Sequence, residues 1–301
     1  MSIVVVGSVA FDSISSPHGS VERAVGGSAT YFSLAASIFS SVKLVAVVGE
    51  DFGAENIELF HRKGIDTEGL EVVEGGKTFF WQGSYMEDMN ERDTIKTELN
   101  VFEGFDPTLP DSYRSSEFLF LGNIDPDLQI RVLEQVKGDP IIGCDTMNFW
   151  IDRKRQRLHD ILKKIDILFI NDSEAVQLSG EKNLIRAGRR LIDTGPQKVV
   201  IKKGEHGSVL FSGDEIFLIP AFPLEEVVDP TGAGDSYAGA FFGYLDSAGG
   251  IDNNFFKRAV VYATVVAGFT CEGFSVERLA RLEREEVEER YKRFIEMFTI
   301  T

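Results

Sequence analysis

Six short β-prone runs alternate along the chain with stretches of helical apolar spacing, and that rhythm leaves few architectures open. The runs are Ile3 to Val6, Lys43 to Val48, Phe118 to Leu121, Ile141 to Cys144, Ile167 to Ile170 and Val199 to Lys202. Between them, Ser28 to Ser40, Ala54 to Lys63, Asp127 to Lys137, Arg153 to Lys164 and Asn183 to Asp193 repeat apolar residues every three to four positions. Such alternation predicts βαβ repetition and a mostly parallel, doubly wound α/β sheet flanked by helices. Ligands of such sheets gather at the carboxyl ends of strands, where Asn123, Asp145 and Asn171 fall.

A chain of 301 residues with 43% hydrophobic content can bury a large core, and residues 1–301 read as one main domain. Thirty-one basic against 48 acidic residues leave a net charge of −17, which repels nucleic acid and anionic lipid. Small molecules are the expected partners. No apolar stretch reaches the roughly 18 residues of a membrane span, and Met1 to Val6 lacks a basic leader, so a cytoplasmic protein is expected. Cys144 and Cys271 lack metal or disulfide spacing, as do His18, His61, His159 and His206.

The densest chemistry lies at Val228-Asp229-Pro230-Thr231-Gly232-Ala233-Gly234-Asp235, directly before an apolar-periodic run from Ser236 to Leu245. Pro230 stiffens the turn, while Gly232 and Gly234 permit conformations in which successive N–H groups point at one spot beside a helix N-terminus. That is a cradle for an anion. Asp235 in the first helical turn is placed to accept a proton from an attacking hydroxyl, or else only complements the helix dipole while the glycines shape a loop. Other nucleotide loops are absent: Glu71 stands where a Walker A motif ending Gly76-Lys77-Thr78 needs glycine, and Tyr237 replaces the third glycine of a dinucleotide or protein-kinase loop.

With these residues in view, the chain resembles the PfkB family of carbohydrate and nucleoside kinases, of ribokinase-like fold. Asp229 to Asp235 is similar to the family's C-terminal signature, and Gly26-Gly27-Ser28-Ala29-Thr30 resembles its substrate-side glycine pair, with Thr30 where Asn is frequent. Asn171-Asp172-Ser173-Glu174 is similar to its Asn-x-x-Glu element near magnesium and phosphates, and Lys202 to Gly207 to its nucleotide-side glycine turn. The four matches follow the family's order over almost the whole chain. The resemblance implies ATP and Mg2+, with Glu174 acting on the metal through water and a monovalent cation left open. It implies nucleotide contacts from Asn171, Glu174, Lys203, Gly204, Gly207, Thr231, Thr264 and Gly273, although ordinary core packing would equally explain Thr264 and Gly273.

Two segments break the alternation, 14–25 and 78–101, and Thr78 to Tyr85 is aromatic and β-prone. They read as a small β-sheet lid, or as a surface hairpin covering a core. In the family such a sheet covers the substrate and can pair with a second subunit, so a homodimer through the lid is open. Asp12 should project at the end of the first strand, where by resemblance it binds substrate hydroxyls; turn capping is the plainer alternative. Gly26 and Gly27 would allow close approach of the substrate, and Thr30 would add a hydroxyl contact.

The expected activity is transfer of the γ-phosphoryl of ATP to an alcohol of a sugar or polyol, with Asp235 as base and the Gly232, Ala233 and Gly234 amides as anion hole. An adenosine-type nucleoside acceptor is the alternative, for which Phe11, Phe80, Trp81, Phe149 and Trp150 could line an apolar slot. A non-catalytic nucleotide or metabolite sensor is the rival class.

Overall fold

The computed structural model describes residues 2–90 and 92–298. Its central strands are β1 (Ile3–Val6), β4 (Val42–Gly49), β5 (Ile65–Val73), β8 (Phe118–Leu121), β9 (Ile141–Asp145), β10 (Ile167–Asn171), β11 (Lys198–Lys202), β12 (Ser208–Ser212) and β13 (Glu215–Ile219). Among the described residues they form one nine-stranded sheet ordered β13-β12-β11-β10-β9-β8-β1-β4-β5. From β5 to β11 neighbours run parallel; β12 and β13 close one edge as an antiparallel hairpin.

All six expected strands are present, and three others join them. The edge strand β5 is half exposed and carries Asp66, Glu68 and Glu71, so it lacks the continuous apolar run of a strand covered on both faces. The β12–β13 hairpin turns on Gly213, with φ 57°, and Asp214.

A second sheet holds β2 (Ala10–Ser16), β3 (Gly19–Gly26), β6 (Phe79–Tyr85) and β7 (Arg92–Glu98), ordered β3-β2-β6-β7. It begins at Ala10, earlier than expected, and Glu91 of the 78–101 segment lies outside the described residues. Asp12 therefore sits on β2, inside this sheet, and not on the turn leaving β1.

Alternation within the central strands feeds two cores. Ile3 and Val5 of β1 join Leu44, Ala46 and Val48 of β4 on one face, whereas Val4, Val6, Val45 and Val47 face the other. The first face is covered by α1 (Ser28–Ser37), α2 (Ala54–Arg62), α8 (Ala233–Ala248), α9 (Asn253–Thr270), α10 (Glu277–Arg281) and α11 (Arg284–Glu296). The second carries α3 (Pro126–Leu133), α4 (Asn148–Arg153), α5 (Arg155–Leu162), α6 (Asp172–Ser179) and α7 (Leu184–Ile192). The helix expected from Arg153 to Lys164 is α5, and the unexpected short α4 precedes it, separated at Lys154, whose ψ of 33° is not helical. No described helix is long and apolar enough to cross a membrane.

Strand order reverses at β1: β4 and β5 extend to one side, β8 to β11 to the other, which opens a crevice above the carboxyl ends of β1 and β8. Two helices start beside it, and their contact fixes its shape. On α8, Gly239 and Gly243 lie one turn apart, and a Cβ on Gly239 would overlap the Phe32 carbonyl of α1. The helices thus pack backbone to backbone. We predict that Gly239→Leu destabilises the protein by about 1–3 kcal/mol in denaturant melts, because α8 must lift away from α1; an unchanged midpoint would contradict this packing.

Candidate active site

Among the described residues four helices are capped by a side chain: Asp125 accepts from Asp127 N–H, Asn171 from Glu174, Asn183 from Ile185 and Arg186, and Asp252 from Asn254 and Phe255. The helices beside the crevice differ. Gly27 caps α1 with φ 93° and Gly232 caps α8 with φ 77°, and neither has a side chain with which to cover the helix donors. Both positions exclude a Cβ: one on Gly27 would lie 2.5 Å from the Ser8 carbonyl oxygen, and one on Gly232 would run into the Tyr31 ring. The α8 end is thereby left open toward the crevice, whereas on α1 the Ser8 hydroxyl accepts from Ser28 N–H at 3.0 Å and the Ser8 carbonyl from Ala29 N–H at 2.9 Å.

The loop before α8 is held from within. Asp229, fully buried, accepts from Thr231 N–H and from Ser275 N–H, each at 2.9 Å. The Ser275 hydroxyl donates to the Val25 carbonyl of β3 at 2.6 Å, and the Ser16 hydroxyl of β2 donates to Val228 carbonyl at 2.8 Å. The Ala233 N–H donates to Pro230 carbonyl at 3.1 Å, while those of Gly232 and Gly234 have no protein acceptor among the described residues. Two amides, not three, are free to receive an anion. Tyr85 of β6 brings its hydroxyl within 3.0 Å of Thr231 Oγ1, joining the small sheet to this loop.

Asp235 is the third residue of α8 and is half-buried. Burial, followed by the charge of Asp145, drives its carboxyl well above the usual carboxylate range, against Lys202 and Arg92. Asp12 lies across the crevice with its carboxylate seated on Gly26, where a Cβ would overlap it, and it accepts from Gly27 N–H. Burial, then the charge of Asp229, pushes it up to about 7, and Asp235 adds to the effect. Thr30 is fully buried and donates its hydroxyl to Gly26 carbonyl at 2.6 Å, so it braces the glycine pair from behind.

Asn171 and Glu174 form a reciprocal capping box at the junction of β10 and α6: Asn171 Oδ1 accepts from Glu174 N–H at 2.8 Å, and Glu174 Oε2 from Asn171 N–H at 3.0 Å. Burial, then Asp145, pushes the Glu174 carboxyl up to about 7. Lys203, Gly204 and Gly207 shape the turn after β11, where Lys203 N–H donates to Gly207 carbonyl at 2.7 Å. Gly204 and Gly207 hold φ of 53° and 80° there. Thr264 is buried and donates to Val260 carbonyl at 2.9 Å, facing Tyr237 of α8. Gly273 lies in the loop after α9, where a Cβ would meet only Arg278 at an ordinary 3.7 Å, so packing does not require glycine.

Lys202 sits at the centre of this array. Its ammonium is 2.7 Å from Asp145 Oδ2 and would lie 2.9 Å from a Cβ on Gly234, so it rests against the cradle. Burial works against its charge, but Asp145, Asp235 and Glu174 outweigh that and raise its pKa. Sequence reasoning passed over it in favour of Lys203. Strand parity was the available signal: Lys202 shares its face with Val200, which packs on the α8 side, and Asp145 shares one with Gly143, whose bare Cα faces Phe242 of α8.

Asp145, Glu174 and Asp235 around one lysine leave an excess of negative charge, which suits a divalent cation. Among the described residues no three carboxylate, histidine or cysteine groups stand close enough to hold a metal alone. A magnesium ion would suit that charge pattern, and Glu174 and Asp145 are the residues that would hold it.

The raised carboxyls carry a pH signature. In the unfolded chain Asp12 and Glu174 titrate near their ordinary values of 3.8 and 4.5; folded, both hold their protons up to about 7. The native state therefore binds extra protons between these limits, and this contribution to stability, full below about pH 4, is lost as pH rises through about 7. His159, lowered by burial, opposes it as a single group. We expect the ligand-free protein to lose stability in denaturant melts from pH 5 to 7.5. A rise across that window would contradict the assignment.

The pfkB family carbohydrate kinase family matches residues 1–278. A cytidine kinase of Thermococcus kodakarensis is 31% identical over 246 residues, covering 80% of this chain and 87% of that protein. A nucleoside kinase of Methanothermobacter thermautotrophicus is 32% identical over 236 residues, 76% of this chain and 72% of its own. A candidate ribokinase II of E. coli, solved in complex with ATP and Mg2+, superposes with a TM-score of 0.81 at 20% identity, covering 97% of this chain and 99% of its own. That last likeness concerns the fold. The family match spans most of the chain, and the chain belongs to the pfkB family of carbohydrate kinases.

Proposed function

We propose that this chain is an ATP-dependent nucleoside kinase that phosphorylates a ribose hydroxyl. The observation that carries the choice of a nucleoside over a free sugar is the pairing of Asp12 with Trp81 across β2 and β6. Pleating sets Asp12, Trp81, Gly83 and Tyr85 on one face, and Tyr85 reaches the cradle loop, so this is the face toward the crevice. The indole lies across Gly83, where a Cβ would overlap it. A carboxylate able to take two adjacent hydroxyls thus sits beside a flat apolar surface able to take a base. Phe11 is not part of such a slot, since it packs on Phe52 at 5.5 Å between ring centres. The names of the two relatives, a cytidine kinase and a nucleoside kinase, support the same reading.

Asp12 and the Gly26–Gly27 backbone hold the acceptor sugar, and the small sheet covers it and excludes water. Asp235 takes the proton of the attacking hydroxyl; Gly232 and Gly234 amides and the Lys202 ammonium receive the charge of the transferring phosphoryl. Glu174 and Asp145 would hold magnesium, which supplies charge neutralisation on the phosphates when bound. The Thr264 and Gly273 region at the end of α9 would wall the nucleotide base.

The deciding experiment is coupled ADP release with Mg-ATP across cytidine, uridine, adenosine, inosine, ribose, hexoses and inositol. Turnover with a nucleoside at least tenfold better in kcat/KM than with ribose is expected. Preference for a free sugar would overturn the nucleoside reading, and no ADP release with any acceptor would remove the kinase reading itself.

A further inference from the structure

One cation faces the crevice from the small sheet. Arg92 opens β7 directly opposite Tyr85 of β6, which places the two side chains beside each other on one face, and the Tyr85 hydroxyl lies 3.0 Å from Thr231 Oγ1 beside the cradle. Trp81, next to Asp12 in the sheet, has the Arg92 guanidinium 5.6 Å from its ring centre. The chain of contacts Arg92, Tyr85, Thr231, Gly232 therefore runs from the sheet into the anion hole. Arg92 is itself exposed, so burial does not hold it in place.

Its electrostatic reach agrees with that position. Burial drives Asp12, Glu174 and Asp235 up, and Arg92 opposes the rise in all three, one from the acceptor side, one from the metal side and one from the cradle. Lys96, on the same strand, is directed elsewhere: it pairs with Glu98 at 3.1 Å and lies over Phe80 at 5.8 Å.

We propose that Arg92 is a catalytic residue of the phosphoryl transfer, a guanidinium carried by the small sheet that engages the γ-phosphoryl when acceptor and nucleotide are both in place. The inference rests on the kinase reading. In the step, the acceptor oxygen bonds to the γ-phosphorus and the bond from that phosphorus to the β,γ-bridging oxygen breaks, its electron pair leaving on ADP. The hydroxyl proton passes to Asp235. Arg92 supplies positive charge opposite Lys202, so the equatorial oxygens are met from the body and from the sheet together. Because the guanidinium belongs to the element that covers the acceptor, full charge compensation requires that element to be seated, which disfavours transfer to water.

The test compares Arg92→Ala, Arg92→Lys and the control Lys96→Ala in two arms. In turnover with the best acceptor, Arg92→Ala is expected to lower kcat by about 10²–10³ with acceptor KM changed less than about threefold, and free guanidinium to restore part of the loss. Lys96→Ala should match the wild type. In calorimetry without acceptor, Arg92→Ala should weaken binding of a non-hydrolysable Mg-ATP analogue roughly tenfold and leave Mg-ADP unchanged, since only the γ-phosphate meets the guanidinium. Unchanged kcat, a loss confined to KM, a loss shared by Lys96→Ala, or an unaltered ratio of analogue to ADP affinity each overturn the role. The binding arm reads the contact whether or not an acceptor has been found, so its failure is distinct from failure of the kinase reading.

Discussion

Replacing Asp235 by Asn should lower kcat by about 10²–10⁴ while ATP and acceptor KM stay within a few-fold. Asparagine keeps the shape and some hydrogen bonding at the third position of α8, so the cradle is not disturbed; what disappears is a group able to hold the hydroxyl proton. Its present surroundings suit that task, because burial and Asp145 raise the carboxyl toward the operating pH, where a base is most effective. The same surroundings predict a second result that a structural carboxylate would not give. A charge disfavoured in the folded state is removed, so the variant should melt at the same denaturant concentration as the wild type or higher at pH 7.5. A folded variant that retains near-wild-type turnover would end the assignment of Asp235 as base.

Lys202→Met should be the most damaging change that touches no expected substrate hydroxyl. It removes the partner of Asp145 at 2.7 Å and the ammonium that rests on Gly234. Three carboxylates, Asp145, Glu174 and Asp235, then share a partly buried space without their body-side cation. The expected outcome is a loss of about 3 kcal/mol in denaturant melts, as for an ion pair broken from one side, and a fall in kcat of about 10²–10³. Adding Asp145→Asn should recover much of the stability and little of the rate, because the orphaned charge is gone but the cation facing the phosphoryl is still missing. Recovery of both together would make Lys202 a purely structural partner.

These residues also show how far the chain could be read without coordinates. Asp229 to Asp235 announces itself because proline, paired glycines and a carboxylate before an apolar-periodic run have few joint uses, and Gly232 does adopt the left-handed backbone at φ 77° that such a turn requires. The six central strands were legible because strands covered on both faces are nearly pure apolar runs. Edge strand β5, open to water on part of its surface, mixes Asp, Glu and Gly with its apolar residues and gave no such run. Lys202 was hidden by its neighbour Lys203: two lysines in sequence differ only in which side of β11 they leave from, and that face has meaning only once α8 is known to lie there. Arg92 and Tyr85 were hidden more deeply, being ordinary members of a polar hairpin whose seat on the cradle loop depends on contacts made 146 residues away.

By itself the sequence determined the alternating α/β layout, the family and the glycine turn ahead of Asp235, because these depend on local spacing, backbone freedom and apolar periodicity within short windows. Only the tertiary structure decided that α1 and α8 start side by side at the β1/β8 crevice, through Gly239 against the Phe32 carbonyl, and that Asp12, Lys202 and Arg92 converge there from three separate elements. Charges far apart in the chain become coupled only when packing removes the water between them.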